Sequence, residues 1–176
     1  MRVDVVTIFP DMFAAPMSAS IVGIARDRHL LELHVHDLRD WAHDPHRTTD
    51  DYSYGGGPGM VMKPEPIFGA VRHVTELAPE KPYSVFLTPA GRRMDQPIAQ
   101  ELATRDRLLL VCGRYEGFDE RAYALADLRL SIGDYVLSGG EIPAMVVIET
   151  VARLLPGVLG HDESAIDESF AAGLLE

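Results

Sequence analysis

Three glycine-bearing segments are candidates for a ligand site, because each begins where a predicted strand ends. Glycines let backbone N–H and C=O groups approach a ligand closely, and ligands of parallel α/β sheets bind at the carboxyl ends of strands. Leu87, Tyr135 and Leu137 would cover the faces of an adenine read by such groups. One such loop is more often an ordinary turn, but three together favour a shared cavity. The segments are TPAGRR (88–93), CGRYEGFDER (112–121) and SIGDYVLSGGE (131–141).

Residues 39–62 are predicted to form a long polar loop, and they carry no strong phosphate or metal motif. Its YGGGPGM stretch (54–60) matches neither GxGxxG nor GxxxxGK[ST], and we expect an irregular turn that packs against a specific partner. His43, Asp44 and His46 have no companion cysteine, so solvated side chains are favoured over metal ligands. Contact with RNA through these histidines and Arg47 stays open.

The elements that would position these loops alternate between strand and helix, which predicts an α/β fold with a largely parallel sheet. Ser18 or Ser20 is expected to cap the first helix, and Pro143 is compatible with the first turn of the last. Strands are predicted at 3–9, 30–38, 83–88, 107–112 and 128–132. Helical patterns are found at 18–28, 63–77, 95–105, 119–127 and 141–155.

The composition indicates one domain of a protein in a reducing compartment, the cytoplasm. The 176 residues are 47% hydrophobic, without a run long enough to span a membrane. The single cysteine, Cys112, is expected to be a core residue. A net charge of −11 argues against broad affinity for nucleic acid. A local basic face stays open, with its candidates at Arg92, Arg93, Arg105 and Arg107.

Four motifs together resemble the bacterial TrmD family, the tRNA (guanine-N1)-methyltransferases. They are YGGGPGM, CGRYEGFDER, SIGDYVLSGGE and LPGVLG, and the likeness extends from IFPDMF near the start to SFAAGLLE at the end. This family belongs to the SPOUT class, so the resemblance implies helices on both faces of the sheet and a deep trefoil knot. It also implies that residues 131–141 hold bent S-adenosylmethionine, with glycines where chain crosses chain.

The resemblance further implies methyl transfer to N1 of the guanosine just 3′ of the anticodon. The enzyme would be a homodimer whose active sites each use both subunits. The matching donor-binding positions are Phe86, Leu87, Thr88, Pro89, Gly113, Tyr115, Glu116, Ile132, Gly133, Asp134, Tyr135, Val136, Leu137, Gly139, Gly140 and Pro143.

Three catalytic roles follow from the same resemblance. Glu116 would contact the target guanine, and Arg153 would stabilise negative charge developing on its O6. A carboxylate would remove the N1 proton. The family typically has Glu-Asp-Ser-Phe in its linker, where this chain has Asp-Glu-Ser-Phe at 167–170. The base would therefore be Glu168, one methylene longer than the family's aspartate, or its neighbour Asp167. The alternatives are reduced activity, or that both carboxylates are only charges of the linker.

The implied organisation is a knotted donor-binding domain at 1–160 and an acidic linker at 161–176, without the helical C-terminal domain that helps family members grip tRNA. Weakened tRNA binding is then expected. Two alternatives are a donor-binding dimerisation module without turnover and a SPOUT methyltransferase with another RNA target. The resemblance identifies no metal ligands, and whether Mg²⁺ assists stays open.

Overall fold

The computed structural model describes residues 1–52 and 59–159. Their strands are β1 (Arg2–Thr7), β2 (Glu32–Asp37), β3 (Asp50–Tyr52), β4 (Met60–Met62), β5 (Tyr83–Arg93), β6 (Arg107–Cys112) and β7 (Leu128–Ser131). The α-helices are α1 (Ser20–Asp27), α2 (Pro64–Glu76), α3 (Gln96–Ala103) and α4 (Glu141–Leu154). Short 3₁₀ helices occupy Pro10–Phe13, Pro16–Ser18, Leu38–Trp41 and Glu120–Leu125.

Five strands form one parallel sheet in the order β2-β1-β6-β5-β7, as the continuous apolar runs predicted. The register places one apolar residue of each strand in a row across the sheet. That row is Val35, Val5, Leu110, Val85 and Leu128. β3 and β4 form a separate antiparallel pair.

Helices cover both faces of the sheet, which confirms the predicted layers. Residues of α1, α3 and α4 pack with Val5 and Leu110 in one core. Residues of α2 pack with Val6 and Phe86 in the other. Neighbouring residues of one strand thus serve opposite cores, because side chains alternate across a sheet. Cys112 is buried as predicted, and burial raises the pKa of its thiol.

Three local expectations were wrong. The predicted helix at 119–127 is a 3₁₀ segment, Glu120–Leu125. Neither serine caps α1: its N-cap is Ala19 without a side-chain bond, while the Ser18 hydroxyl donates to the Ala15 carbonyl instead. The polar segment 39–62 contains the strands β3 and β4. Three-residue strands are too short for a period-two pattern to identify.

Arg107 is not part of a basic face, because it is 4% exposed. Its Nε donates to Asp4 at 3.2 Å, and its guanidinium also donates to backbone carbonyls, including that of Val74. Asp4 is 0% exposed and accepts from Arg2 as well. Burial alone would raise the pKa of Asp4, but hydrogen bonds from His36, Arg2 and Arg107 hold it well below its ordinary value.

The pairing of β5 with β7 is interrupted where the candidate site begins. Leu87 and Arg92 are both opposite Leu130, so residues 88–91 leave the ladder. An excursion of this kind turns side chains away from the sheet. It places TPAGRR within an irregular β5 rather than beyond the end of the strand, and it forms one side of the cavity described next.

Candidate functional site

A cavity of about 500 Å³ lies at the carboxyl ends of β5, β6 and β7. Its walls come from the three glycine-bearing segments, namely the excursion at 88–90, the turn at 113–118 and the loop at 131–140. The structure therefore brings together the loops that the strand pattern predicted to share an edge. Ligand pockets of small molecules commonly have this size.

All predicted donor-binding residues except Phe86 and Asp134 line the cavity. The lining set is Leu87, Thr88, Pro89, Gly113, Tyr115, Glu116, Ile132, Gly133, Tyr135, Val136, Leu137, Gly139, Gly140 and Pro143. The side chain of Phe86 lies behind the wall, with its ring centroid 5.1 Å from that of Phe118. Asp134 faces solvent and pairs with Arg93 at 3.5 Å. The roles of all these residues in binding stay predictions.

Apolar side chains are exposed inside this cavity. Tyr135 is 55% exposed, Val136 84% and Leu137 37%. Three consecutive exposed apolar residues are unusual on a folded surface, and they mark a place that a ligand or a partner covers. Their exposure also means that replacing them would leave both cores intact.

The lining residues that the predicted donor-binding set missed include Arg114, Glu120, Tyr123 and Arg129. Tyr123 donates its hydroxyl to Thr88 Oγ1 at 3.1 Å, which ties the 3₁₀ segment to the excursion. Arg129 stacks 3.8 Å from the Tyr123 ring centre and pairs with Glu120 at 3.1 Å. Glu120 and Tyr123 were missed because residues 119–127 were predicted to form an α-helix rather than a 3₁₀ segment. The motif CGRYEGFDER contains Arg114 and Glu120 and was the available signal.

The β3–β4 pair braces the turn at 113–118. The N–H of Glu116 donates to Met60 O at 2.9 Å, and the N–H of Met62 donates to Gly117 O at 2.9 Å. Gly59 lies against the Glu116 side chain. The expectation that YGGGPGM packs against a specific partner is confirmed for residues 59–60, while 54–58 lie outside the described residues.

The structure describes two of the four predicted catalytic residues, and it places them apart. Glu116 lines the cavity, but Arg153 is in the last turn of α4, whose first turn borders the cavity. A rise of 1.5 Å per residue puts Arg153 roughly 18 Å along the helix from Glu141. Arg153 is not among the residues that line the cavity. Asp167 and Glu168 lie outside the described residues.

The cavity suits a nucleoside-containing sulfonium such as S-adenosylmethionine. Leu87, Tyr135 and Leu137 offer apolar surface for a purine, and the carboxylate of Glu116 offers charge opposite to a sulfonium. Gly140 allows the loop at 131–140 to pack closely against the end of β6, because a Cβ there would lie 2.8 Å from Cys112 Cα. Within residues 1–52 and 59–159 no three His, Cys, Asp or Glu side chains are grouped to hold a metal ion.

Comparison with known proteins agrees with this geometry. A profile described as tRNA (Guanine-1)-methyltransferase TrmD matches residues 1–176. The tRNA (guanine-N(1)-)-methyltransferase of Dictyoglomus turgidum is 54% identical over 176 residues, which span 100% of this chain and 71% of that protein. The one from Parafrankia sp. is 55% identical over 178 residues, or 100% of this chain and 62% of that protein.

A solved structure has the same fold. The crystal structure of tRNA (m1G37) methyltransferase from Aquifex aeolicus matches with a TM-score of 0.85 and 42% identity, over 92% of this chain and 72% of that one. The parallel sheet and the cavity at its edge thus define an α/β methyltransferase of the knotted SPOUT class. The chain belongs to the TrmD family, the tRNA (guanine-N1)-methyltransferases. The predicted fold and enzyme class are confirmed.

Proposed function

We propose that the cavity binds S-adenosylmethionine and that the protein transfers its methyl group to N1 of guanosine 37 in tRNA. The observation that carries this proposal is the run of exposed apolar residues at 135–137 inside a cavity formed by three loops. The relatives are named for tRNA guanine methylation, and the Aquifex structure for m1G37. Such an enzyme acts where tRNA is processed, in the cytoplasm.

The donor, when bound, supplies an electrophilic methyl group. The side chains of Leu87, Tyr135 and Leu137 would cover the purine, while backbone groups of the loop at 131–140 read its edge. Glu116 would face the target guanine from the opposite wall. Among the described residues Glu116 has no cationic partner within ion-pair distance, so its carboxylate is available to a substrate.

Proton removal from N1 would fall to a carboxylate, with Glu168 or Asp167 as candidates. Arg153 would stabilise charge on O6. Since Arg153 is roughly 15 Å along α4 from Pro143, the residue of that helix that lines the cavity, a second copy would have to supply it.

The outer surface of α4 supports a homodimer. Ile142 is 49% exposed and Val146 39%, and positions four apart lie on one face of a helix. An apolar stripe on an exposed helix is typical of a surface that another helix covers. A dimer across this stripe would bring Arg153, farther along the same helix, towards the partner's cavity.

Titration of S-adenosylmethionine tests the donor site. Replacing Tyr135, Val136 and Leu137 together by alanine is expected to weaken binding at least tenfold, or by about 1.4 kcal/mol or more, because the purine loses its apolar cover. Leu77→Ala is the control, since Leu77 is 43% exposed at the end of α2 and outside the cavity. Equal affinity in the triple variant and wild type would place the donor elsewhere.

Mapping the methylated nucleotide decides between this function and its alternatives. Methylation at N1 of guanosine 37 in unmodified tRNA is expected. Modification of another nucleotide would indicate a SPOUT methyltransferase with a different RNA target. Donor binding without transfer at any tRNA concentration would indicate a dimerisation module. Repeating the assay with EDTA tests whether Mg²⁺ takes part.

A further inference from the structure

A carboxylate that does not line the cavity is buried directly behind it. Glu141, the first residue of α4, is 1% exposed. Its Oε1 accepts from the Thr7 hydroxyl at 2.7 Å, and Arg114 Nε lies 3.1 and 3.3 Å from its two oxygens. Withdrawing a charge from water is costly unless it is paired and hydrogen-bonded. The burial of Glu141 therefore suggests that its carboxylate has a structural or functional role.

The ion pair joins two walls of the cavity. Arg114 belongs to the turn at 113–118, whereas Glu141 follows the loop at 131–140. The backbones of Arg114 and Gly139 also meet in an antiparallel bridge. A Cβ on Gly139 would collide with the Glu141 carboxylate and the Arg114 guanidinium together. The two loops are thus packed around this pair, with no room for a side chain between them.

Arg114 is further fixed on its other sides. Its guanidinium carbon lies 4.2 Å from the centre of the Phe9 ring, a cation–π distance. Its backbone N–H donates to Met62 Sδ at 3.2 Å. The Arg114 side chain is 19% exposed. A residue held this firmly can set the conformation of its neighbours.

The next residue has a conformation that needs such support. Tyr115 has φ +59°, in the left-handed region, which costs a residue other than glycine on the order of 1–2 kcal/mol. Strain of this kind persists only where the surroundings enforce it. Tyr115 and Glu116 both line the cavity, so relaxation of the turn would displace both side chains.

We propose that Glu141 is a positioning residue for methyl transfer: its carboxylate, held by Thr7, anchors Arg114 and so keeps Tyr115 and Glu116 in place on the cavity wall. The proposal rests on the proposed function for its consequence in donor binding. Its structural part, that the ion pair holds the turn, stands apart from the identity of the ligand.

The test is Glu141→Gln, which keeps the shape and one acceptor but removes the charge. Amide hydrogen exchange at 113–117, measured without ligand, is expected to accelerate about tenfold. The Kd for S-adenosylmethionine is expected to rise about tenfold, since small displacements of contact groups are costly. Thr7→Val should have a smaller effect of the same kind, because it removes one hydrogen bond and leaves the ion pair.

Asp4→Asn is the matched control. It also breaks a buried carboxylate–arginine pair, with Arg107, but near the amino ends of β1 and β6, away from the cavity at the carboxyl ends of the strands. Measured at a temperature where both variants are folded, Asp4→Asn should leave exchange at 113–117 and donor affinity unchanged. Equal losses of affinity in both variants would show a general effect of instability and overturn the proposal.

The two proposals fail separately. If wild type binds donor and Glu141→Gln binds equally well with unchanged exchange, the positioning role is wrong while the proposed function stands. If wild type binds no donor, the proposed function is wrong, and exchange at 113–117 still decides whether Glu141 holds the turn. Should Glu141→Gln not fold, Arg114→Lys replaces it, because lysine keeps the charge but loses the fork geometry and the stacking on Phe9.

Discussion

Gly140 shows how a single missing side chain lets two segments of the chain run in contact. Its N–H donates to Gly113 O at 2.7 Å, and a Cβ would lie 2.8 Å from both Cys112 Cα and Gly113 N. Its φ of −81° is open to any residue. Glycine is needed at this position for space and not for backbone conformation.

Gly140→Ala is therefore expected to destabilise the protein by about 1–3 kcal/mol, because the added methyl forces the two backbones apart. Donor affinity should fall with it, since both segments line the cavity. Urea unfolding and donor titration measure the two effects.

Gly157→Ala provides the comparison for that substitution. Its Cβ would be 3.7 Å from Leu30, an ordinary contact, but its φ is +81°. It should lose about 1 kcal/mol through backbone strain without changing donor affinity. An unchanged unfolding midpoint in Gly140→Ala would show that the backbone of Gly140 does not pack as closely against Cys112 and Gly113 as described.

At the scale of elements, β1 has a buried charged residue, Asp4, near its beginning, and its last residue, Thr7, contacts Glu141 beside the cavity. Asp4 pairs with Arg107 and Arg2, whereas Thr7 donates to Glu141. The strand thus connects a structural ion-pair network near the amino ends of the strands with the cavity at their carboxyl ends.

The depressed pKa of Asp4 predicts a loss of stability in acid. Its pKa is lower in the folded chain than the ordinary value of about 3.9, so its contribution is complete above about pH 4 and is lost as the pH falls further. Asp4→Asn should cost about 3–5 kcal/mol at neutral pH, because Arg107 keeps its buried charge without a counterion.

Unfolding free energies at neutral pH and near pH 3 check both statements. The decrease on acidification should be larger in wild type than in Asp4→Asn, since the variant has no carboxyl to protonate there. Equal decreases would assign the acid sensitivity to other carboxylates, such as Asp119, whose pKa the Arg121 guanidinium lowers to about 2.

The sequence was sufficient for the main elements because their patterns are long. β6 is buried at all six positions, and its run RLLLVC is apolar apart from Arg107. Arg107 was wrongly predicted as a candidate for a basic face because its burial depends on Asp4, which lies 103 positions earlier in the chain. β4 was missed because hydrogen bonds to the turn at 113–118, rather than local propensity, hold it, and β3 was missed because it is held by pairing with β4.

The site was predictable to the extent that its residues form contiguous motifs. SIGDYVLSGGE and CGRYEGFDER supplied most of the cavity wall. Tyr123 and Arg129 were not found, because their place in the wall follows from a 3₁₀ turn and a stacking contact. Glu141 was visible only as the end of a motif, and its pairing with Thr7 spans 134 positions.

At the scale of the whole molecule, the apolar stripe on α4 predicts association. For the proposed homodimer, Val146→Glu should shift the protein from dimer to monomer, because a charge would replace apolar surface within the proposed interface. Sedimentation velocity reads the result directly. No helix of the described residues is long and apolar enough to cross a bilayer.

Leu77→Glu is the control for that experiment. Leu77 is similarly exposed but lies at the end of α2, on the other face of the sheet. It should leave the sedimentation coefficient unchanged. A Val146→Glu protein that sediments like wild type would mean that the stripe is not a dimer interface, and the proposed route of Arg153 to a partner's cavity would be wrong.

Because the cavity is assembled from three segments between residues 87 and 143, we expect it to be completed late in folding. Trp41, the single tryptophan, packs against His36 and His73 in the first half of the chain. Contacts between distant segments form slowly. In stopped-flow refolding, tryptophan fluorescence should recover before the capacity to bind ligand. A nascent chain on the ribosome would likewise acquire that capacity only after α4 has emerged.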